Sequence, residues 1–234
     1  VDRMDSDQKS IYYITGTNES ALRESPLLEM YRDKGIMIAQ GDKLGPDEYI
    51  KLLADIPLEF SPGKHFNYSI STDILGFIIE RISGMTLEEY LSEKIIVPLG
   101  MNDTTFHIDK SKLDRVSSCY IYDEIADKYI LQDDSIETSY LEKPRSFSGG
   151  GGLLSTIDDY MKFCEMILSN GTYKDKRILS RKTIELMSQN HLSSKGDLTS
   201  VALGRWSETA FSGVGFGLGF AVLIDPTAAQ IPGS

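Results

Sequence analysis

The chain has 234 residues, 41% of them hydrophobic and 25% charged, which suits one large or two small folded domains with a sizeable core and excludes wholesale disorder. With 35 acidic against 24 basic residues the formal net charge is -11, which argues against a nucleic-acid partner, because binding phosphates needs clustered Lys and Arg. No apolar run reaches the roughly 18 residues that a membrane span needs, and the first residues form neither a charged nor an apolar leader region, so a cytoplasmic location is expected.

In chain order, QKSIYYIT at 8–15 is β-branched and aromatic, ends at Gly16, and predicts a strand. Residues 18–34 carry a helical apolar set (Leu22, Leu27, Leu28, Met30, Tyr31) that Pro26 interrupts and Gly35 stops. A loop over 41–48 feeds a helix, EYIKLLADI, ending before Pro57. Ser61-Pro62-Gly63-Lys64 is a turn by composition. Ile74, Leu75, Ile78, Ile79 and Ile82 then recur at helical spacing and predict one buried face, with Gly84 as the stop. Thr86 and Glu89 have capping-box spacing for the next helix, LEEYLSEKIIV, which Pro98 and Gly100 end.

Residues 107–147 are polar, with aromatic pieces CYIYD and DKYILQ that predict a hairpin or an irregular excursion. FSGGGGLLST at 147–156 leads into the helix IDDYMKFCEMILSN, with Ser155 or Thr156 as N-cap, Asp158 and Asp159 on the helix dipole, and Asn170-Gly171 as the stop. Ser180 to Gln189 is another amphipathic helix, and GVGFGLGFAVLID at 213–225 reads as a strand. Helices outnumber strands, and the class is α+β.

Several chemistries have little support. Cys119 and Cys164 lack a CxxC or CxxH context and read as two reduced thiols. His65, His107 and His191 never come at ligand spacing, so no metal site is expected. There is no GxSxG elbow. The glycines at 149–152 lack the GK[ST] ending of a phosphate loop and are better explained by a tight backbone approach. GVGFGLG fits a dinucleotide fingerprint only with Leu218 in place of the third glycine. Tyr68 has two readings. A tyrosine beside a lysine can be driven toward phenolate and act as a base. Alternatively it packs its ring locally while Ser69 or Ser71 caps the helix ahead of Asp73.

Together, PGKHFNYSISTDILGFIIERISGMTLEEYLSEKIIVPLGMNDTTF, GGGGLLSTIDDYMKFCEMIL, ILSRKTIELMSQNHL and GVGFGLGFAVLIDP resemble, in sequence and order, the penicillin-binding-protein-like serine hydrolases of the β-lactamase-related group. The likeness is greatest to the family VIII carboxylesterases, covers about 40–234 and touches YRDKGI at 31–36. It implies a partial β-lactamase/transpeptidase-like fold, mostly its helical region with a few antiparallel strands. It also implies hydrolysis of a small ester or amide through an acyl-enzyme, without metal or organic cofactor. Tyr68 would be the catalytic tyrosine, with Ser69 and Ser71 as substrate-binding candidates. Ile70 stands where Asn commonly follows Tyr-Ser, which disfavours a dedicated β-lactamase, and Tyr-Ser-x-Ser is the more esterase-like form.

The family's nucleophile lies in a Ser-x-x-Lys motif on a helix, one turn apart. Ser6 to Lys9 and Ser61 to Lys64 match the spacing. The second is a Pro-Gly turn, and the first opens a strand-like segment, so both read as coincidental, with Ser6 and Lys9 kept as the remaining candidates. The third motif, a Lys/His/Trp-x-Gly strand, would follow Pro-Gly-Ser at 232–234. The hydrolase domain, 39–234, is therefore expected to be incomplete at both ends and inactive by itself, with an exposed sheet edge open to self-association. Residues 2–36, with QKSIYYITG, resemble the end of the middle domain of bacterial Hsp90 chaperones, but hold none of the nucleotide site. A foreign segment over 1–38 implies a fusion of two partial reading frames, an engineered chain or a misassembled gene. The alternatives are a non-catalytic interaction protein and a chaperone fragment.

Overall fold

The computed structural model describes residues 45–54, 56–58, 60–67, 69–123, 126–134, 136–201 and 211–230. The strand expected over 8–15 and the helix over 18–34 lie outside them. The described chain divides into two compact units, one of 45–54, Thr72–Glu88 and Asp103–Ser155, the other of 56–71, Glu89–Asn102 and 156–230. Helices and short antiparallel hairpins make up both, so the α+β class holds.

In the first unit, helix α1 (Pro46–Ala54) starts two residues earlier than its apolar pattern suggests. Proline's fixed φ suits a first turn, and Glu48 reaches back to accept from the Gly45 N–H at 3.1 Å. Helix α2 (Ser71–Ser83) corrects the expected face. It buries Asp73, Gly76 and Phe77, while Leu75, Ile78 and Ile82 are exposed, Ile82 by 82%. The aromatic and glycine positions decide the orientation. Phe77 packs edge-on against Tyr49 with ring centroids 5.6 Å apart, and Gly76 lies beside the backbone of Gly149, whose own missing Cβ lets the loop approach the helix.

Strands β1 (Cys119–Asp123) and β2 (Lys128–Asp133) pair antiparallel, which settles the 107–147 segment as a hairpin. One 3-10 turn precedes it, Lys110–Arg115 capped by Asp109, and another follows, Ser139–Leu141 capped by Thr138. Asp103 fastens the first turn by accepting from Lys112 at 2.8 Å and from both Arg115 terminal nitrogens at 2.9 and 2.8 Å. Among the described residues of this unit the buried apolar side chains are Phe77, Leu87, Phe106, Ile108 and Phe147.

The helix expected over 87–97 forms and runs on to Leu99, with a π turn set into it. Helix α3 (Leu87–Leu91) passes into a π turn, Ser92–Ile96, and then the single turn α4 (Val97–Leu99). Pro98 has no N–H to continue the α ladder, and the wider turn ahead of it accommodates the loss. Gly100 then closes the end at φ 67°, its N–H on the Val97 carbonyl and that of Met101 on Ile96, a Schellman motif.

In the second unit, helix α5 (Ile157–Leu168) has Thr156 as its N-cap, accepting from the Asp159 N–H at 3.2 Å. Leu99, Met101 and Met166 form a core there with Ile95, Ile96, Phe163, Ile167, Tyr173 and Ile178 around it. Asn170 and Gly171 turn the chain at φ 54° and 86° into the hairpin of β3 (Thr172–Tyr173) and β4 (Lys176–Arg177). Helix α6 (Arg181–Met187) is capped by Ser180. The strand expected over 213–225 is instead a hairpin, β5 (Val214–Phe216) with β6 (Ala221–Leu223), because Gly219 at φ 97° reverses the chain. A last turn of helix, α7 (Pro226–Ala229), follows Asp225 as cap. A second core, Leu192, Leu198, Val201 and Val214, is flanked by Phe66 and Phe216, their rings 5.0 Å apart. Cys119 is exposed on β1 and Cys164 half-buried on α5, both as free thiols.

Candidate active site

Tyr68, Ser6 and Lys9 lie outside the described residues. Ser69 and Ser71 lie inside them and are brought together. Their hydroxyl oxygens are 2.6 Å apart, and the Ser71 N–H donates to Ser69 Oγ at 3.2 Å. Ser69 therefore serves the first N–H of α2, the capping role that the local reading gave it. Ser61-x-x-Lys64 is the expected turn, with Gly63 at φ 81° and the Lys64 N–H on the Ser61 carbonyl.

The first turns of α2 are held from the side by the tetraglycine segment. Asp73, only 8% exposed, accepts a hydrogen bond from Ser148 Oγ at 2.5 Å, and the Gly150 N–H donates to the same Ser148 oxygen at 3.0 Å. A Cβ on Gly149 would fall inside the contact radius of the Thr72 carbonyl oxygen, and one on Gly150 would lie 3.0 Å from Asp73 Oδ2. The glycines are there for a tight backbone approach to a helix, as their sequence suggested. The Ser148 hydroxyl is committed to a carboxylate and a backbone amide, which makes it a brace rather than a nucleophile.

Sequence reasoning passed over Asp73 and Ser148. The available signal was an acidic residue five positions beyond Tyr68, inside the first turn of its helix, and a serine directly before four glycines. It also read Asp159 only as a dipole partner. Asp159 is 4% exposed and accepts from Lys162 Nζ at 2.8 Å, while the same ammonium donates to the Gly100 carbonyl at 2.6 Å. The Asp159 bond holds the Lys162 pKa above its ordinary value.

The three histidines have separate surroundings. The His65 ring meets Phe60 edge-on, His107 Nδ1 lies 3.0 Å from Glu88 Oε1, and His191 Nε2 is 2.7 Å from the Leu186 carbonyl oxygen. Lys143 pairs with the other Glu88 oxygen at 2.7 Å and sits over the Phe147 ring. Among the described residues no three acidic, His or Cys side chains are grouped to hold a metal ion, and no helix is long and apolar enough to cross a membrane.

Residues 24–232 match the Beta-lactamase family, and residues 1–40 match the Hsp90 protein family, the two overlapping over 24–40. Protein Rv1367c of Mycobacterium tuberculosis is 34% identical over 186 residues, which are 80% of this chain and 45% of that protein. Esterase EstB of Burkholderia gladioli is 28% identical over 201 residues, 80% of this chain and 46% of the esterase. Among solved structures, EstCE1, described as a hydrolase with promiscuous acyltransferase activity, superposes with a TM-score of 0.65 at 26% identity, covering 96% of this chain and 56% of that one. The chain thus spans about half the length of the curated relatives it matches. It has part of the β-lactamase/transpeptidase-like fold, and on the match over 24–232 it belongs to the Beta-lactamase family.

Proposed function

We propose that the chain is the central part of a serine hydrolase that acts on small esters through an acyl-enzyme. The observation that carries this reading is the Tyr-Ser-x-Ser segment at 68–71 running into a helix whose first turn is braced by Asp73 and Ser148, in a family with an esterase among its relatives. In the reaction a serine Oγ attacks the ester carbonyl carbon. Tyr68 takes the hydroxyl proton and passes it to the departing alkoxide, and water then releases the acid and restores the serine. Ser69 and Ser71 border the substrate. A boundary near residue 38, between an Hsp90-like segment and the hydrolase domain, belongs to the same reading, as does self-association through an exposed sheet edge.

The test is hydrolysis of p-nitrophenyl butyrate by this chain, beside Tyr68→Phe and Ser6→Ala. General acid–base catalysis contributes about 10²–10⁴-fold, so whatever turnover this incomplete chain retains is expected to fall by at least about 10² in Tyr68→Phe. Equal loss in Ser6→Ala makes Ser6 and Lys9 the working pair. Turnover untouched by Tyr68→Phe overturns the role of the tyrosine. No turnover from any of the three favours the second reading, a non-catalytic protein on the same fold.

A further inference from the structure

The hairpin of β1 and β2 has two unlike faces. Ile121 and Ile130 are half-buried on one of them. On the other, among the described residues, Tyr120 lies opposite Leu131 and Tyr122 opposite Tyr129, and all four are exposed, Tyr129 by 73%. Strands alternate their side chains, so these four share one side of the hairpin. The Tyr122 and Tyr129 rings meet at 62° with centroids 5.3 Å apart, which fixes each against the other. The register shift between Cys119 and Tyr120 leaves Gln132 unpaired on β2, a bulge that turns it outward beside Leu131. Its side-chain oxygen accepts from the exposed Cys119 thiol at 3.5 Å, so a polar pair closes that end of the face.

Tyrosine combines a broad, stiff apolar ring with a hydroxyl, which suits it to the centre of a protein interface. The charges of the hairpin set the sign of the partner. Asp123 and Asp127 stand at its turn and Asp133 and Asp134 at its other end, against a single described lysine, Lys128. The Tyr122 hydroxyl donates to the Asp127 carboxylate, which puts an acid at the border of the ring face. In a chain of net charge -11, an acidic partner is repelled and a neutral one leaves these carboxylates unanswered. A guanidinium stacks flat on a tyrosine ring and still offers N–H groups to a carboxylate, whereas an ammonium is a compact, strongly hydrated charge.

We propose that this tyrosine face is a docking surface for an arginine-bearing segment of a partner protein. Guanidinium groups stack on Tyr120 and Tyr129, and the acids at the two ends of the hairpin answer their charge. The inference goes beyond the hydrolase reading and does not depend on it, since no step of ester hydrolysis uses the hairpin. A single stacked cation at an exposed site adds little, so the segment engages more than one ring, and its binding is weak and falls with salt.

The experiment is fluorescence anisotropy of a fluorescein-labelled oligo-arginine peptide titrated with the wild-type chain, beside an oligo-lysine peptide of the same length. The variants are Tyr120→Ser with Tyr129→Ser, Tyr120→Phe with Tyr129→Phe, and Tyr160→Ser. All keep the charge of the chain, and Tyr160, on α5 and as exposed as Tyr120 at 59%, reports attraction to the acidic chain at large. The double serine variant is expected to raise the Kd for the arginine peptide at least about tenfold. The double phenylalanine variant, which keeps the rings, and Tyr160→Ser should bind as the wild type does, and the lysine peptide more weakly. No binding by the wild type overturns the proposal. So does a Kd that ignores the double serine variant, or that rises equally in Tyr160→Ser, because only general attraction to an acidic chain then remains. Equal binding of the lysine peptide overturns the choice of arginine. A dimer seen by sedimentation velocity and lost in the double serine variant names a second copy as the occupant and overturns the partner assignment.

Discussion

Ser148 Oγ donates to Asp73 Oδ1 at 2.5 Å, a side-chain bond between residues 75 positions apart that ties the first turn of α2 to the segment before the tetraglycine. Because Asp73 is buried, removing either partner leaves a polar group without its match. Ser148→Ala and Asp73→Ala are each expected to cost about 1–3 kcal/mol. The double variant should cost less than their sum, with a coupling of about 0.5–3 kcal/mol read from urea unfolding. Strict additivity would show that the two residues act independently.

The four glycines at 149–152 are not equivalent. Gly149 has no room for a Cβ against the Thr72 carbonyl, while a Cβ at Gly151 meets nothing within 4 Å. Gly149→Ala is therefore expected to cost about 3 kcal/mol by forcing α2 and the loop apart, and Gly151→Ala to stay within about 0.5 kcal/mol of wild type. Thermal unfolding of the two variants side by side separates a packing requirement from a general need for loop freedom.

Lys162 neutralises the buried Asp159 and also satisfies the Gly100 carbonyl that ends α4. Lys162→Met leaves a carboxylate without its cation and should lower the melting temperature. Adding Asp159→Asn should recover part of the loss, since the pair does more harm broken than absent. A double variant worse than Lys162→Met would contradict this.

Acid and alkali are expected to act through different groups. Hydrogen bonds from Arg115 and then Lys112 hold Asp103 well below the usual carboxylate range, and the Gly213 N–H followed by the Thr199 hydroxyl lowers Asp197. Depressed folded-state values contribute stability that is present above the unfolded carboxylate pKa of about 4 and lost as pH falls through the folded values. Burial, followed by the Asp133 charge, raises Tyr140, and stability from that group is present below about pH 10 and fades as pH rises through the raised value. Urea midpoints across pH 2 to 11 should fall at both ends, with Asp103→Asn flattening the acid limb. Salt should weaken the Asp103 contribution, because Arg115 and Lys112 meet it at the surface.

Local chemistry was the legible part of the sequence. Gly84, Thr156, Gly171 and Ser180 mark helix ends in the structure as their types indicated, since a cap depends on the residues beside it. The facing of α2 was not legible. Its isoleucines outnumber its one phenylalanine, yet the contacts of Phe77 with Tyr49 and of Gly76 with Gly149 come from segments that no spacing within the helix can reveal. The π turn before Pro98 and the reversal at Gly219 were missed because helix-forming residues continue through the first and apolar residues flank the second. Of the candidate site, Ser69 and its cap were visible in the motif. The Asp73–Ser148 brace was hidden, because a pair 75 residues apart leaves no periodic trace.

The two cysteines fall one to each compact unit, Cys119 exposed on β1 and Cys164 half-buried on α5. Their unequal accessibility lets a first thiol-reactive dye be placed on Cys119 under mild conditions and a second on Cys164 after brief, partial opening. The sequence thus already contains two distinguishable label positions, one in each unit. Unfolding of each unit can be followed separately without introducing a single new residue.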